Sequence, residues 1–109
     1  MQNLTAPELA AWLAEPAPAR GRPVLLDVRE DWEFQTCALP GSVHMPMGSV
    51  PQRAAEVHED APVICICHHG MRSLHVASFL ERQGFTDVYN LTGGVDAWAR
   101  QVDPQMPVY

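Results

Sequence analysis

The chain of 109 residues has the length of one domain, and 47% of its residues are hydrophobic, enough to bury a core without disulfide or metal staples. A formal charge of −6 at pH 7 excludes general binding to nucleic acid or to an anionic membrane, both of which need a basic footprint. Any anion site in such a chain is a local positive pocket in a negative body.

The first residues, "MQNLTAPELA", lack a basic segment followed by an apolar core, and no apolar run approaches the ~18 residues that span a bilayer. Within them "LTAPELAAWLAE" reads as a helix. Thr5 is its N-cap, Pro7 fits the first turn, and Glu8 closes a capping box with Thr5. Leu4 and Leu9 are spaced for a hydrophobic staple, and Leu9, Trp12 and Leu13 form one apolar stripe. "PAPARGRP" is a surface loop. Val24 to Val28 is a buried parallel strand, and "EDWEF" is a short helix. Pro40 and Gly41 make a turn, Val43 to Met45 is a second short strand, and Ser49 caps a helix that runs to about Val57. "PVICIC" is the third strand, apolar throughout.

From Ser73 the period becomes helical. Val76, Ala77 and Leu80 share a face, Arg82 lies in the last turn, and Gly84 ends the helix. "DVYNL" is a strand, "TGGVDAWAR" a Gly-Gly turn leading into a helix with Trp98, and "VDPQMPVY" a proline-bearing tail. Strands alternating with helices predict one α/β domain over residues 1–109, its parallel sheet covered on both faces. Three cysteines, Cys37, Cys65 and Cys67, fit a soluble cytoplasmic protein with reduced thiols.

Chemistry concentrates in "VICICHHGMRS", Val63 to Ser73. An apolar strand, a Gly-containing loop and a helix follow one another, and sites in such sheets lie at the carboxyl ends of the strands. Cys67 stands there. The helix beginning near Ser73 aims free N–H groups and its positive end back at the loop, and Gly70 lets the chain curl. Arg72 adds a permanent charge. Each feature favours thiolate over thiol, which makes Cys67 a candidate nucleophile near neutral pH.

This loop resembles the active-site loop of the rhodanese-like sulfurtransferases, with their Cys-x-x-Gly-x-Arg-Ser pattern. "VLLDVRE" with "WEF", "LPGSVHMP" and "GFTDVYNLTGGVDAW" are similar to further stretches of that family, in family order, over roughly Val24 to Trp98. The resemblance implies a three-layer fold, with a mainly parallel central sheet of about five short strands flanked by helices. It implies a sulfurtransferase that moves a sulfane sulfur from thiosulfate or a persulfide, through a Cys67 persulfide, to a thiol or cyanide. A thiol-bearing protein is a further candidate partner. Backbone N–H groups of His68, His69, Gly70, Met71 and Arg72 would cradle the sulfur, with positive charge from Arg72 and the loop histidines. Ser73, Asp27 and Arg29 would support the loop. No metal or organic cofactor is called for, because the cysteine itself carries the sulfur.

Two other readings compete. A non-catalytic binding module of the same fold would hold a partner protein; the intact Cys67 argues against it. A phosphatase or arsenate reductase on the same scaffold would need a wider cradle; the four residues "HHGM" between Cys67 and Arg72 favour sulfur. His68 and His69 stand where some thiosulfate-using relatives carry lysine or arginine, which leaves thiosulfate and persulfide donors both open.

The remaining residues read more plainly. Cys65 and Cys67 point to one face of the strand, with Cys65 deeper and silent. Cys37 is a loop thiol. A Cys-x-Cys-His-His run is too compact for a tetrahedral zinc site. His44, His58 and His75 are structural or surface residues. Arg72 serves the site, including through loop support, while Met47 and Trp32 either rim the pocket or, the preferred reading, pack apolar surface.

Overall fold

Short apolar runs separated by helical segments build βαβ crossovers, and these leave all strands pointing one way. The computed structural model describes residues 1–109. Its strands are β1 (Gln2–Leu4), β2 (Val24–Asp27), β3 (Val43–His44), β4 (Val63–Ile66) and β5 (Val88–Leu91). Its α-helices are α1 (Ala6–Ala14), α2 (Asp31–Thr36), α3 (Val50–Arg53), α4 (Met71–Arg82) and α5 (Gly94–Gln101). The five strands form one parallel sheet in the order β1-β5-β4-β2-β3. No helix is long and apolar enough to cross a membrane.

Alternation along the strands divides the core in two. Leu25, Ile64, Ile66 and Leu91 face α1 and α5, joining Leu9, Trp12, Val95 and Trp98. Leu26, Cys65 and Cys67 face the other way, joining Val50, Val76, Ala77 and Leu80 of α3 and α4. Cys65 and Cys67 thus share a face, as their spacing predicts. Both layers of helix are needed because strands buried on two faces expose apolar side chains on both.

The predicted capping box of α1 is present: Glu8 N–H donates to Thr5 Oγ1 at 3.2 Å and Thr5 N–H to Glu8 Oε1 at 2.8 Å. Helix α4 ends in a Schellman motif, with Gly84 N–H donating to the Glu81 carbonyl and Phe85 N–H to that of Leu80, and Gly84 at φ +103°.

Four features lie outside what the sequence led one to expect. Strand β1 has no apolar alternation; Gln2, Asn3 and Leu4 are held by pairing with Tyr89, Asn90 and Leu91, a long-range contact. The helix expected from Ser49 to Val57 is broken into a 3-10 turn, the four-residue α3 and a second 3-10 turn, and the Ser49 side chain caps nothing. Helix α4 starts at Met71 rather than Ser73, because Gly70 at φ +104° takes the N-cap position. Ser73 therefore lies inside the first turn, pointing inward. Cys37, read as a loop thiol, does follow α2 outside any helix or strand, but it is packed in the core at 9% exposure.

Candidate active site

Strand β4 is central in the sheet, and Cys67 follows its last residue. Gly70 N–H donates to Cys67 Sγ at 3.0 Å. The Ser73 hydroxyl lies 3.3 Å from the same sulfur and 2.5 Å from Asn90 Oδ1, while Asn90 Nδ2 donates to the Gly70 carbonyl at 3.1 Å. Burial by itself raises the Cys67 thiol. The hydrogen bonds from the Ser73 hydroxyl and from the backbone N–H groups of Ser73, Gly70 and His69 outweigh it, and the pKa falls below the ordinary value. For Cys65 burial acts without such donors, with the Cys67 charge adding to it, and its thiol is pushed up to about 12. The surroundings favour the thiolate at Cys67 and disfavour it at Cys65.

The loop is clamped from β5 and α5. Val95 N–H donates to the Cys67 carbonyl at 2.9 Å and Asp96 N–H to the His68 carbonyl at 3.1 Å. Gly94 makes this approach possible: a Cβ there would lie 2.3 Å from the Cys67 oxygen. Gly70 is pressed in the same way, with Gly93 N 3.2 Å from where its Cβ would stand.

Arg72 turns to α2. Its Nη1 and Nη2 donate to Glu33 Oε1 and Oε2 at 2.6 and 2.8 Å, a bidentate pair with a carboxylate that is 4% exposed. Arg72 holds the Glu33 carboxyl down at about 2, against the effect of burial, with help from Glu30 N–H and Tyr109. Arg29 and Asp27, both fully buried, form a second pair: Arg29 Nη2 and Nε donate to Asp27 at 2.7 and 2.9 Å, and Nη2 also reaches the Cys37 carbonyl. They brace the end of β2 and the α2 turn, with Arg29 bonded to Asp27, Glu33, Cys37 and Tyr109 rather than to Cys67.

Tyr109 joins the two pairs. Its hydroxyl accepts from Arg29 Nη1 at 2.8 Å and donates to Glu33 Oε2 at 2.9 Å. Its ring stacks on His68 at 3.9 Å and 9°, and meets Trp32 edge-on at 5.5 Å. His68 and His69 lie ring to ring at 3.9 Å. Burial first, then His69, lowers the His68 pKa, so that His68 is neutral at pH 7. His69 and Met71 are exposed.

The family model for the rhodanese-like domain matches residues 5–101. The chain belongs to the rhodanese-like domain family. This rhodanese-like domain is 40% identical over 75 residues to the thiosulfate sulfurtransferase GlpE of Pseudomonas savastanoi pv. phaseolicola, covering 69% of this chain and 71% of that protein. It is 39% identical over 85 residues to GlpE of Pseudomonas syringae pv. syringae, covering 78% and 79%. The crystal structure of a rhodanese-like domain protein from Staphylococcus aureus superposes with a TM-score of 0.83 at 28% identity, covering 100% and 99% of the two chains. The named relatives support a role for this rhodanese-like domain in sulfur transfer.

Cys67, His68, His69, Gly70, Met71, Arg72 and Ser73 form one loop and first helical turn, with Asp27 and Arg29 behind it. Three participants escaped the sequence reading. Asn90 carries a signal, a polar residue inside the apolar run "DVYNL". Glu33 and Tyr109 carry none, because only the fold brings them to the loop. His44 is structural: its Nε2 lies 2.7 Å from the Arg29 carbonyl and its ring stacks on Phe34. His58 and His75 are exposed. Trp32 and Met47, read as apolar packing in preference to pocket rim, are 60% and 37% exposed.

Proposed function

We propose that this chain is a sulfurtransferase in which Cys67 carries a sulfane sulfur as a persulfide. The observation that carries the reading is a thiol held low in pKa by Gly70, Ser73 and His69 at the end of the central strand. The Cys67 thiolate attacks the outer sulfur of a donor such as thiosulfate or a persulfide. A bond forms between Sγ and that sulfur, the donor's bond to it breaks, and the electron pair leaves with the remainder, sulfite in the case of thiosulfate. The negative charge now sits on the outer sulfur, within reach of the loop N–H groups, which need no reorganisation to stabilise it. A thiophilic acceptor, cyanide or a thiolate, then attacks the outer sulfur and returns the electron pair to Sγ. A thiol-bearing protein is one such acceptor, and the cytoplasm, where thiols stay reduced, suits this chemistry.

Roles follow from the contacts. His68, His69, Gly70, Met71 and Arg72 supply the cradle's backbone. Ser73 and Asn90 fix its floor, and the Arg72–Glu33 and Arg29–Asp27 pairs hold its outer wall. The test is intact-protein mass after incubation with several sulfane donors. One added sulfur on Cys67, absent from Cys67→Ser, is the expected result; no added sulfur with any donor overturns the reading.

A further inference from the structure

The run of Cys65, Cys67, His68 and His69 is too compact to close on one metal ion by itself. Folding changes the set. Helix α5 brings Asp96 to the loop, and ligand atoms of His68, His69 and Asp96 lie within 4.8 Å of one another. The cysteines take no part in this group: Cys65 and Cys67 pack in the core layer of α4, while His68 is half-buried and His69 exposed.

The backbone ties together the two elements that carry these side chains. Asp96 N–H donates to the His68 carbonyl at 3.1 Å and Val95 N–H to the Cys67 carbonyl at 2.9 Å. The rings of His68 and His69 have centroids 3.9 Å apart and planes 32° apart. A tetrahedral ion with bonds of about 2.1 Å holds its ligand atoms about 3.4 Å from one another, so the group must tighten by about 1 Å. The His69 side chain is 64% exposed, so turning it costs no core packing.

Each of the three has ligating capacity to spare. His68 Nε2 is buried and meets no hydrogen-bond partner, whereas His44 Nε2 is tied to the Arg29 carbonyl. His68 stacks on Tyr109 through its ring face, and its nitrogen lone pairs lie in the ring plane, so stacking and ligation do not compete. His69 Nε2 faces Asp96 Oδ2 at 4.0 Å, too far for a hydrogen bond. Arg100 Nε holds Asp96 Oδ2 at 3.1 Å, an exposed i,i+4 pair that yields readily, and the carboxylate has a second oxygen.

Charge and ligand type name the ion. Two imidazoles and one carboxylate suit borderline divalent ions, whereas magnesium and calcium take oxygen ligands. The net charge of −6 favours a cation, and the Arg72 charge is matched by Glu33. The positive end of α5 opposes a cation here, and Asp96 in its first turn offsets it.

We propose that His68, His69 and Asp96 form a binding site for a divalent transition-metal ion of the zinc class, with an open fourth position, at the rim of the Cys67 loop. The site does not depend on the sulfur chemistry of Cys67. A bound ion joins the loop to α5 through side chains as well as backbone, so it stabilises the folded chain by mass action.

The experiment titrates Zn²⁺ by calorimetry into the wild type and into Cys67→Ser, with circular dichroism to show that each variant is folded. One ion per chain is expected in both. His69→Ala and Asp96→Asn should each weaken binding about tenfold or more. Arg100→Ala releases Asp96 and should tighten binding several-fold. His58→Ala, at an exposed histidine away from the group, should change nothing. Zn²⁺ should raise the melting temperature of Cys67→Ser and leave that of His69→Ala unmoved. Co²⁺ should show the visible bands of a nitrogen- and oxygen-ligated ion without thiolate charge transfer. Binding abolished in Cys67→Ser places the ion on the thiol and overturns the proposal. So does wild-type affinity in both His69→Ala and Asp96→Asn, loss of the ion in His58→Ala, or no binding at all.

Discussion

Replacing Gly94 by alanine separates the clamp on the loop from ordinary backbone strain. Gly94 has φ +59°, and an added Cβ would lie 2.3, 2.4 and 2.5 Å from Cys67 O, His68 O and His68 C. These atoms are backbone, so no side chain can swing aside. Ordinary contact needs about 3.4 Å, so the loop and α5 must part by about 1 Å. That stretches Val95 N–H to Cys67 O and Asp96 N–H to His68 O, now 2.9 and 3.1 Å. Two backbone bonds at about 1 kcal/mol each, with about 1 kcal/mol for alanine in the left-handed region, give about 3 kcal/mol. A domain of this size has on the order of 5–15 kcal/mol, so the variant folds, and its melting temperature falls by roughly 15 °C. Gly41→Ala is the control: φ is +79°, nothing stands within 4 Å of its Cβ, and only the strain of about 1 kcal/mol remains. Persulfide loading of Cys67 should drop about 100-fold in Gly94→Ala, since a shift of about 1 Å misplaces the reacting sulfur, and stay near wild type in Gly41→Ala. Thermal unfolding by circular dichroism and loading by mass spectrometry read the two effects. Equal melting temperatures for the two variants, with wild-type loading in both, would refute the clamp.

Other consequences are as direct. Ser73→Ala removes a hydroxyl that favours the Cys67 thiolate, so the pH midpoint of Cys67 alkylation by iodoacetamide should move up and the rate at neutral pH fall; an unmoved profile would deny Ser73 that role. Glu33 has a folded pKa of about 2, below its unfolded value near 4.5, so its pairing stabilises the fold above pH 4.5 and that stability is lost as pH falls toward 2. The shift corresponds to about 3 kcal/mol; in urea titrations across this range, Glu33→Gln should lack that acid limb and be weaker at pH 7. Cys65→Ala should still load sulfur on Cys67, because a thiol near 12 supplies no thiolate at neutral pH, and it should lose about 1 kcal/mol of stability; loss of loading would make Cys65 a participant.

What the sequence made legible was local. The capping box at Thr5 and Glu8, the apolar run of β4, the Gly84 stop and the loop from Cys67 to Ser73 each declare themselves within a few residues. The offset of two between Cys65 and Cys67 foretold their common face. Long-range pairing was hidden. Gln2, Asn3 and Leu4 become a strand only because β5 offers an edge, and no propensity in three residues says so. Arg72 was legible as a charge near the cysteine, but its carboxylate partner lies 39 positions away in α2. Tyr109 is 80 positions from Arg29 and 76 from Glu33, in a tail read only for its prolines. The helix boundary at Met71 was missed because Gly70 was read as a loop curl, whereas it takes the N-cap position at φ +104° with Gly93 packed close to it.

The central place of β4 has a mechanical consequence. Its amides are bonded between β2 and β5, so Val63 to Ile66 should exchange hydrogen for deuterium only through the largest openings, while the outer β1 and β3 exchange through fraying. The Cys67 sulfur thus hangs from the most firmly paired strand of the sheet. Trp32 and Tyr109, by contrast, are carried by a six-residue helix and a tail. The molecule is divided like a vice, with one jaw set in the middle of the sheet and the other held to it by the bonds of Tyr109 to Arg29 and Glu33.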